Sequence, residues 1–167
     1  MRDSVPPSVA AIEAIYRSPG HDFKGRFGQG RLEHGVEAVD AVECHAGRGI
    51  VGDRYYDFRE DYKGQITFFA REVGQQLAHE RGWETIDFQA FRRNVIISGI
   101  ELNDLVGKRF LLGDVELEGS EQCAPCFWMN EVFAPGTEEW LRGRGGLRCR
   151  IIRSGWLRVG PVRLDVR

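Results

Sequence analysis

The residues best suited to chemistry stand together at Cys123-Ala124-Pro125-Cys126. Two thiols three positions apart lie within reach of one another, and that spacing serves three chemistries. The pair can cycle through a disulfide, supply half of a zinc site, or leave one thiolate to act alone as metal ligand or sulfur carrier. A redox dithiol would be expected to open a helix inside a βαβ pattern, whereas this pair follows a hairpin. A structural zinc site needs four ligands, and the other cysteines, Cys44 and Cys149, lack the second close pair that such a site uses. Each sits within an apolar strand pattern and reads as a buried small hydrophobe.

A second cluster is Phe91-Arg92-Arg93-Asn94, running into Val95-Ile96-Ile97-Ser98. On an extended chain Arg92 and Asn94 share one face and Arg93 takes the other. A guanidinium fork beside a side-chain amide suits a phosphate or the edge of a heteroaromatic ring. In Gly52-Asp53-Arg54 the carboxylate is expected to bond its own local backbone, with Arg54 as its partner. Lys63-Gly64-Gln65-Ile66-Thr67 follows, and Glu72 reads as solvent-facing. The run Arg142-Gly143-Arg144-Gly145-Gly146-Leu147-Arg148 serves equally as an anion-binding loop or a solvated turn.

The elements that must position these groups are mostly strands. Residues 8–16 read as a strand closed by Ser18-Pro19-Gly20, and residues 20–35 as a polar, Gly-rich loop. The alternation over 36–44 predicts a half-buried strand leading into an irregular bend at 47–54. Ile66, Phe69, Val73 and Leu77 are three or four apart, which predicts an amphipathic helix over 66–81 stopped by Gly82. Strands are expected again at 94–98, in a hairpin over 110–117 turning at Gly113-Asp114, at 147–153, and over 156–166 with a break at Gly160-Pro161. A short helix is expected at 136–142.

Composition frames this reading. The chain has 167 residues, 42% hydrophobic and 29% charged, with 21 glycines against six prolines. That length suits one domain, 1–167, and so many glycines favour a turn-rich, mainly β architecture with a few helices. A net charge of −2 supplies no global field toward nucleic acid or an anionic membrane, so any anion site must be local. Without a leader-like or membrane-spanning apolar run, the expectation is a cytoplasmic protein whose cysteines are thiols.

The order of the motifs is more specific than any one of them. Gly52-Asp53-Arg54, then Gln65-Ile66-Thr67, Arg92-x-Asn94-Val95-Ile96-Ile97-Ser98, Gly107-Lys108-Arg109-Phe110, Cys123-x-Pro125-Cys126 and Gly145-Gly146-Leu147-Arg148-x-Arg150 together resemble the MOSC domain over nearly the whole chain. That resemblance implies a closed β barrel with a few helices and a bound molybdenum cofactor (molybdopterin). It implies that Cys126, rather than Cys123, carries a persulfide or ligates molybdenum. It further implies that Arg92 and Asn94, with Thr67 and Arg54, hold the cofactor's pterin or phosphate.

Two positions depart from the pattern: Tyr55 stands where many relatives have His, and Ala124 where cofactor-binding relatives can have Ser. On this resemblance the chain is expected to do without the pyridoxal-phosphate desulfurase domain and the extra N-terminal β domain of larger relatives. An external cysteine desulfurase or electron-donor protein is therefore the expected partner. The activity implied is sulfur transfer or molybdenum-dependent reduction of N-hydroxylated compounds, against a non-catalytic binding or adaptor module with an inert Cys126 or a Cys123/Cys126 redox dithiol.

Overall fold

The computed structural model describes residues 8–21 and 34–167. Eleven strands are present among them: β1 (Ser8–Arg17), β2 (Glu37–Val39), β3 (Ala41–His45), β4 (Gly49–Ile50), β5 (Ile66–Ala70), β6 (Val95–Ser98), β7 (Arg109–Leu112), β8 (Val115–Gln122), β9 (Leu147–Arg153), β10 (Gly155–Arg158) and β11 (Gly160–Val166). Three helices accompany them: α1 (Arg71–Arg81), α2 (Trp128–Val132) and α3 (Thr137–Trp140). Strands pair in the order β11-β7-β8-β9-β5-β6-β1, and β1 pairs back onto β11, closing a seven-stranded barrel to which β2 is appended. A small second sheet runs β10-β3-β4. The mainly β, closed-barrel expectation therefore holds.

Alternation along the strands fills the barrel. Phe110 and Leu112 of β7, Val115 and Leu117 of β8, and Leu147, Cys149 and Ile151 of β9 point inward beside Ile12, Ile66 and Phe68. The outward neighbours on β9, Arg148 and Arg150, are only partly buried. A second cluster, Phe69, Leu77, Phe91, Trp128, Met129 and Leu141, packs the helices onto the outside of the barrel. Phe69 and Phe91 are stacked there with centroids 4.0 Å apart.

The helix expected over 66–81 is divided. Residues 66–70 form β5, which makes with β6 the one parallel strand pair among the described residues, and α1 begins at Arg71 as the crossover between them. Ile66, Phe68 and the intervening Thr67 and Phe69 are buried on both faces, Phe68 in the barrel and Phe69 under the helices. A doubly buried strand and a helix face give the same short apolar run, and pairing on both edges, with β6 and β9, makes it a strand. Gly82 ends α1 in the left-handed conformation, φ 71°, as expected.

Two further boundaries shift. The strand expected over 36–44 is two strands, β2 on β1 and β3 on β10, separated at Asp40. The break expected at Gly160-Pro161 falls one residue earlier, at Val159, whose N–H donates to the Asp40 carbonyl at 2.9 Å. Most of the loop expected over 20–35 lies outside the described residues. The hairpin at Gly113-Asp114 and the short helix α3 stand where they were expected.

Candidate functional site

Among the described residues, a cavity of about 560 Å³ opens on the outer wall of the barrel. It is lined by Cys123 and Cys126, by Thr67 of β5 and Arg148 of β9, by the turn before β6, and by the segment 54–64. Its cations among the described residues are Arg54, Arg59, Lys63, Arg92, Arg93 and Arg148, and no described carboxylate lines it.

The two thiols sit on the run between β8 and α2. Cys123 is buried, and its N–H donates to the Gly146 carbonyl at 2.8 Å. This approach requires the glycines: a Cβ on Gly145 would overlap the Cys123 carbonyl oxygen, and one on Gly146, at φ 111°, would overlap that of Phe68. Cys126 is exposed, and its carbonyl accepts from Met129 N–H at 3.0 Å. The buried Trp128, whose indole N–H donates to the Ala90 carbonyl at 2.7 Å, anchors the run.

Cys44 and Cys149 are fully buried, as expected. Burial, with a smaller contribution from Glu43, pushes the Cys44 thiol up to about 12. Burial and then Cys123 raise Cys149 well above its ordinary value. Among the described residues, no three His, Cys, Asp or Glu side chains gather as a metal-ligand set. The accessible thiol at the cavity is Cys126.

The expected Arg92/Asn94 face is corrected. Arg92 is not on a strand but caps the 3-10 turn over 88–91 in the left-handed region, φ 59°, and β6 begins only at Val95. Its guanidinium donates to the Gly20 carbonyl at 2.8 Å, and Arg54 Nη2 donates to the Arg92 carbonyl at 3.2 Å. Asn94 turns into the wall. Its Oδ1 accepts from the N–H and the Oγ1 of Thr67, both at 3.0 Å, its own N–H donates to Thr67 Oγ1 at 3.0 Å, and its Nδ2 donates to the Tyr16 carbonyl at 3.2 Å. Asn94 thus staples β5 to β1 and is absent from the cavity lining, while Thr67, Arg54 and Arg92 remain in it.

Asp53 has the local role expected of it. Its side chain is fully buried and accepts from Ser18 N–H at 3.0 Å and Tyr55 N–H at 3.2 Å, with Arg54 Nη1 at 3.4 Å. Glu72 accepts from Gly99 N–H at 2.8 Å at an exposed position.

Several cavity residues were not singled out as ligands from the sequence. Arg93 donates to the Gly145 and Phe91 carbonyls, both at 3.1 Å. Arg148 and Lys63 meet at Glu121, at 3.0 and 2.9 Å. The Lys63 hydrogen bond first, and then both cations' fields, hold Glu121 below the usual carboxylate range. Burial works against the Arg148 charge, yet the fields of Cys123, Tyr62 and Glu121 keep its pKa above the ordinary value. His21, Tyr55, Phe58 and Tyr62 form an aromatic wall, with ring centroids 4.8 to 5.7 Å apart. The three- and four-residue spacing of Tyr55, Phe58 and Tyr62 is the available signal; Arg148 ends the run 142–148, which the sequence offers as an anion-binding loop or a solvated turn, and of that run's arginines it alone lines the cavity among the described residues.

With this geometry in place, comparison with known proteins defines the class. The family model of the MOSC domain matches residues 24–162, and the chain belongs to that family, which is associated with the molybdenum cofactor. Its fold is similar to the YuaD protein of Bacillus subtilis, at 19% identity over 96% of this chain and 97% of that one, TM-score 0.75. It is also similar to YiiM of Geobacillus stearothermophilus (16% identity, 95% and 75% covered, TM-score 0.68) and YiiM of Escherichia coli (20%, 90% and 70%, TM-score 0.63). A search of curated proteins finds no match. No helix among the described residues is long and apolar enough to cross a membrane.

Proposed function

We propose that the cavity binds the molybdenum cofactor and that Cys126 provides the protein's sulfur to it. The observation that carries this reading is the coincidence of an exposed thiol, a wholly cationic set of charged lining residues and an aromatic wall in one cavity. The donor set fits the group. Thiolate is a soft ligand suited to molybdenum, and guanidinium forks bind phosphate. A volume of about 560 Å³ is in the range of small-molecule sites. When bound, the cofactor supplies two-electron redox chemistry at the metal.

The chain's own residues divide the work. Arg92, Arg93 and Arg148, all partly buried, hold the anionic part of the ligand. Arg54 acts on the same site through the Arg92 carbonyl, fixing a left-handed turn that a non-glycine residue adopts only under constraint. Thr67 meets the cavity from β5, and its hydroxyl is oriented by Asn94, which is a positioning residue rather than a ligand. Asp53 aims the Arg54 guanidinium, with Oδ1 3.4 Å from Arg54 Nη1.

A second role for the same thiol is favoured by its exposure beside the exposed Phe127: acceptance of a persulfide from a separate cysteine desulfurase. Protein purified from cofactor-producing cells tests the main reading through its pterin and molybdenum content. Wild-type protein retains both, and Arg93→Ala and Arg148→Ala lower pterin retention. A wild-type chain free of pterin and molybdenum would refute it. Incubation with a desulfurase and cysteine tests the second role by the mass gain of one sulfur atom on Cys126.

A further inference from the structure

We infer that Arg59 makes the mouth of the cavity selective for anionic aromatic ligands, an arene bearing a carboxylate or a similar oxyanion. This rests on the reading that the more buried cations hold the cofactor. Five of the six lining cations are already committed within the protein. Arg54 holds Asp53 and the Arg92 carbonyl, Lys63 and Arg148 share Glu121, and Arg93 and Arg92 donate to backbone carbonyls. Arg59 alone among them makes neither an ion pair nor a hydrogen bond among the described residues.

Its guanidinium instead lies over two rings, 4.9 Å from the Phe58 centroid and 5.8 Å from that of Tyr62. Stacking of this kind holds the planar group in place while leaving its in-plane N–H donors free, and those donors match a carboxylate fork. Arg59 is exposed, whereas the Arg54 side chain is only 10% exposed, so Arg59 meets a ligand first. The rings beneath it supply the complementary surface, since Phe58, Tyr62 and Tyr55 are in mutual contact and all line the cavity.

An arene with a carboxylate can then use both halves, the ring against the aromatic wall and the oxyanion on Arg59. A neutral arene uses only the wall. An arene with an ammonium group meets six cations and, among the described residues, no lining carboxylate to receive it.

Calorimetric titration of the full chain with 2-naphthoate, 2-naphthamide and 2-naphthylmethylamine tests this, on cofactor-loaded protein and on protein without pterin. The expected result is about tenfold tighter binding of the carboxylate than of the amide, and no measurable binding of the amine. Arg59→Gln removes that preference while leaving the amide's affinity unchanged, which also reports an intact aromatic wall; Lys63→Gln keeps the preference. A preference that survives Arg59→Gln, or that disappears in Arg93→Gln instead, overturns the assignment. Absence of pterin from every wild-type preparation would sink the cofactor reading alone, because the Arg59 preference is read in the pterin-free protein as well.

Discussion

The interior of the barrel and the cavity on its outer wall are built from the same strands with opposite chemistry. On β9, Cys149 points inward, is fully buried and is pushed far from ionising, while its neighbour Arg148 points outward and lines the cavity beside Cys123 and Cys126. On β5, Phe68 fills the barrel while Thr67 reaches the cavity. The period of two along a strand thus separates residues that hold the fold from residues available for chemistry. The cysteines divide as well: Cys44 and Cys149 are buried on β3 and β9, while on the run between β8 and α2 Cys123 is buried and Cys126 exposed.

The glycines that join the two regions should give the largest effect if that division is right. Gly146→Ala forces a Cβ onto the Phe68 carbonyl at a left-handed backbone position, and a loss of about 3 kcal/mol in urea unfolding is expected. Asn94→Ala follows, at about 2 kcal/mol, because it strands buried partners on Thr67 and Tyr16. If Asn94 were a ligand rather than a staple, stability would hold and only cofactor retention would fall.

Cys126→Ala, on the exposed side of the division, is expected to change stability by less than about 0.5 kcal/mol. Alkylation of native wild-type protein should modify Cys126 rapidly, with Cys44 and Cys149 modified only on unfolding. A fast second equivalent at either buried thiol would break the comparison.

Alkaline pH sharpens the same contrast. The folded Cys44 thiol sits near 12 against its ordinary 9.0, so the unfolded chain releases this proton first. The stability linked to it is complete below about pH 9 and is lost as pH rises toward 12. Thermal melts should therefore fall over that window, and less steeply in Cys44→Ala. A smaller effect is expected at the rim. Glu121→Gln releases Lys63 and Arg148, shifting stability by less than about 1 kcal/mol while tightening anion binding.

Much of this division was legible in the sequence. Alternation located β7, β8 and β9, the apolar surroundings of Cys44 and Cys149 marked them as interior, and motif order placed the chain in its family. Two things were not legible. The short apolar run at 66–70 has no period that separates a doubly buried strand from a helix, and only the closed sheet around it decides. Arg92 and Asn94 share no strand face, because Arg92 lies in a left-handed turn held by Arg54, 38 positions away in the chain. Asn94 was recognised as a polar group with a purpose, but its partners Thr67 and Tyr16 come from strands that only the fold brings together.

The role proposed for Cys126 is that of the thiol that meets the cofactor. X-ray absorption at the molybdenum edge of cofactor-loaded protein tests it most directly. Wild-type protein should show one more sulfur neighbour at the metal than Cys126→Ala, with pterin retained in both. An unchanged sulfur count in Cys126→Ala that still holds its pterin would contradict the account.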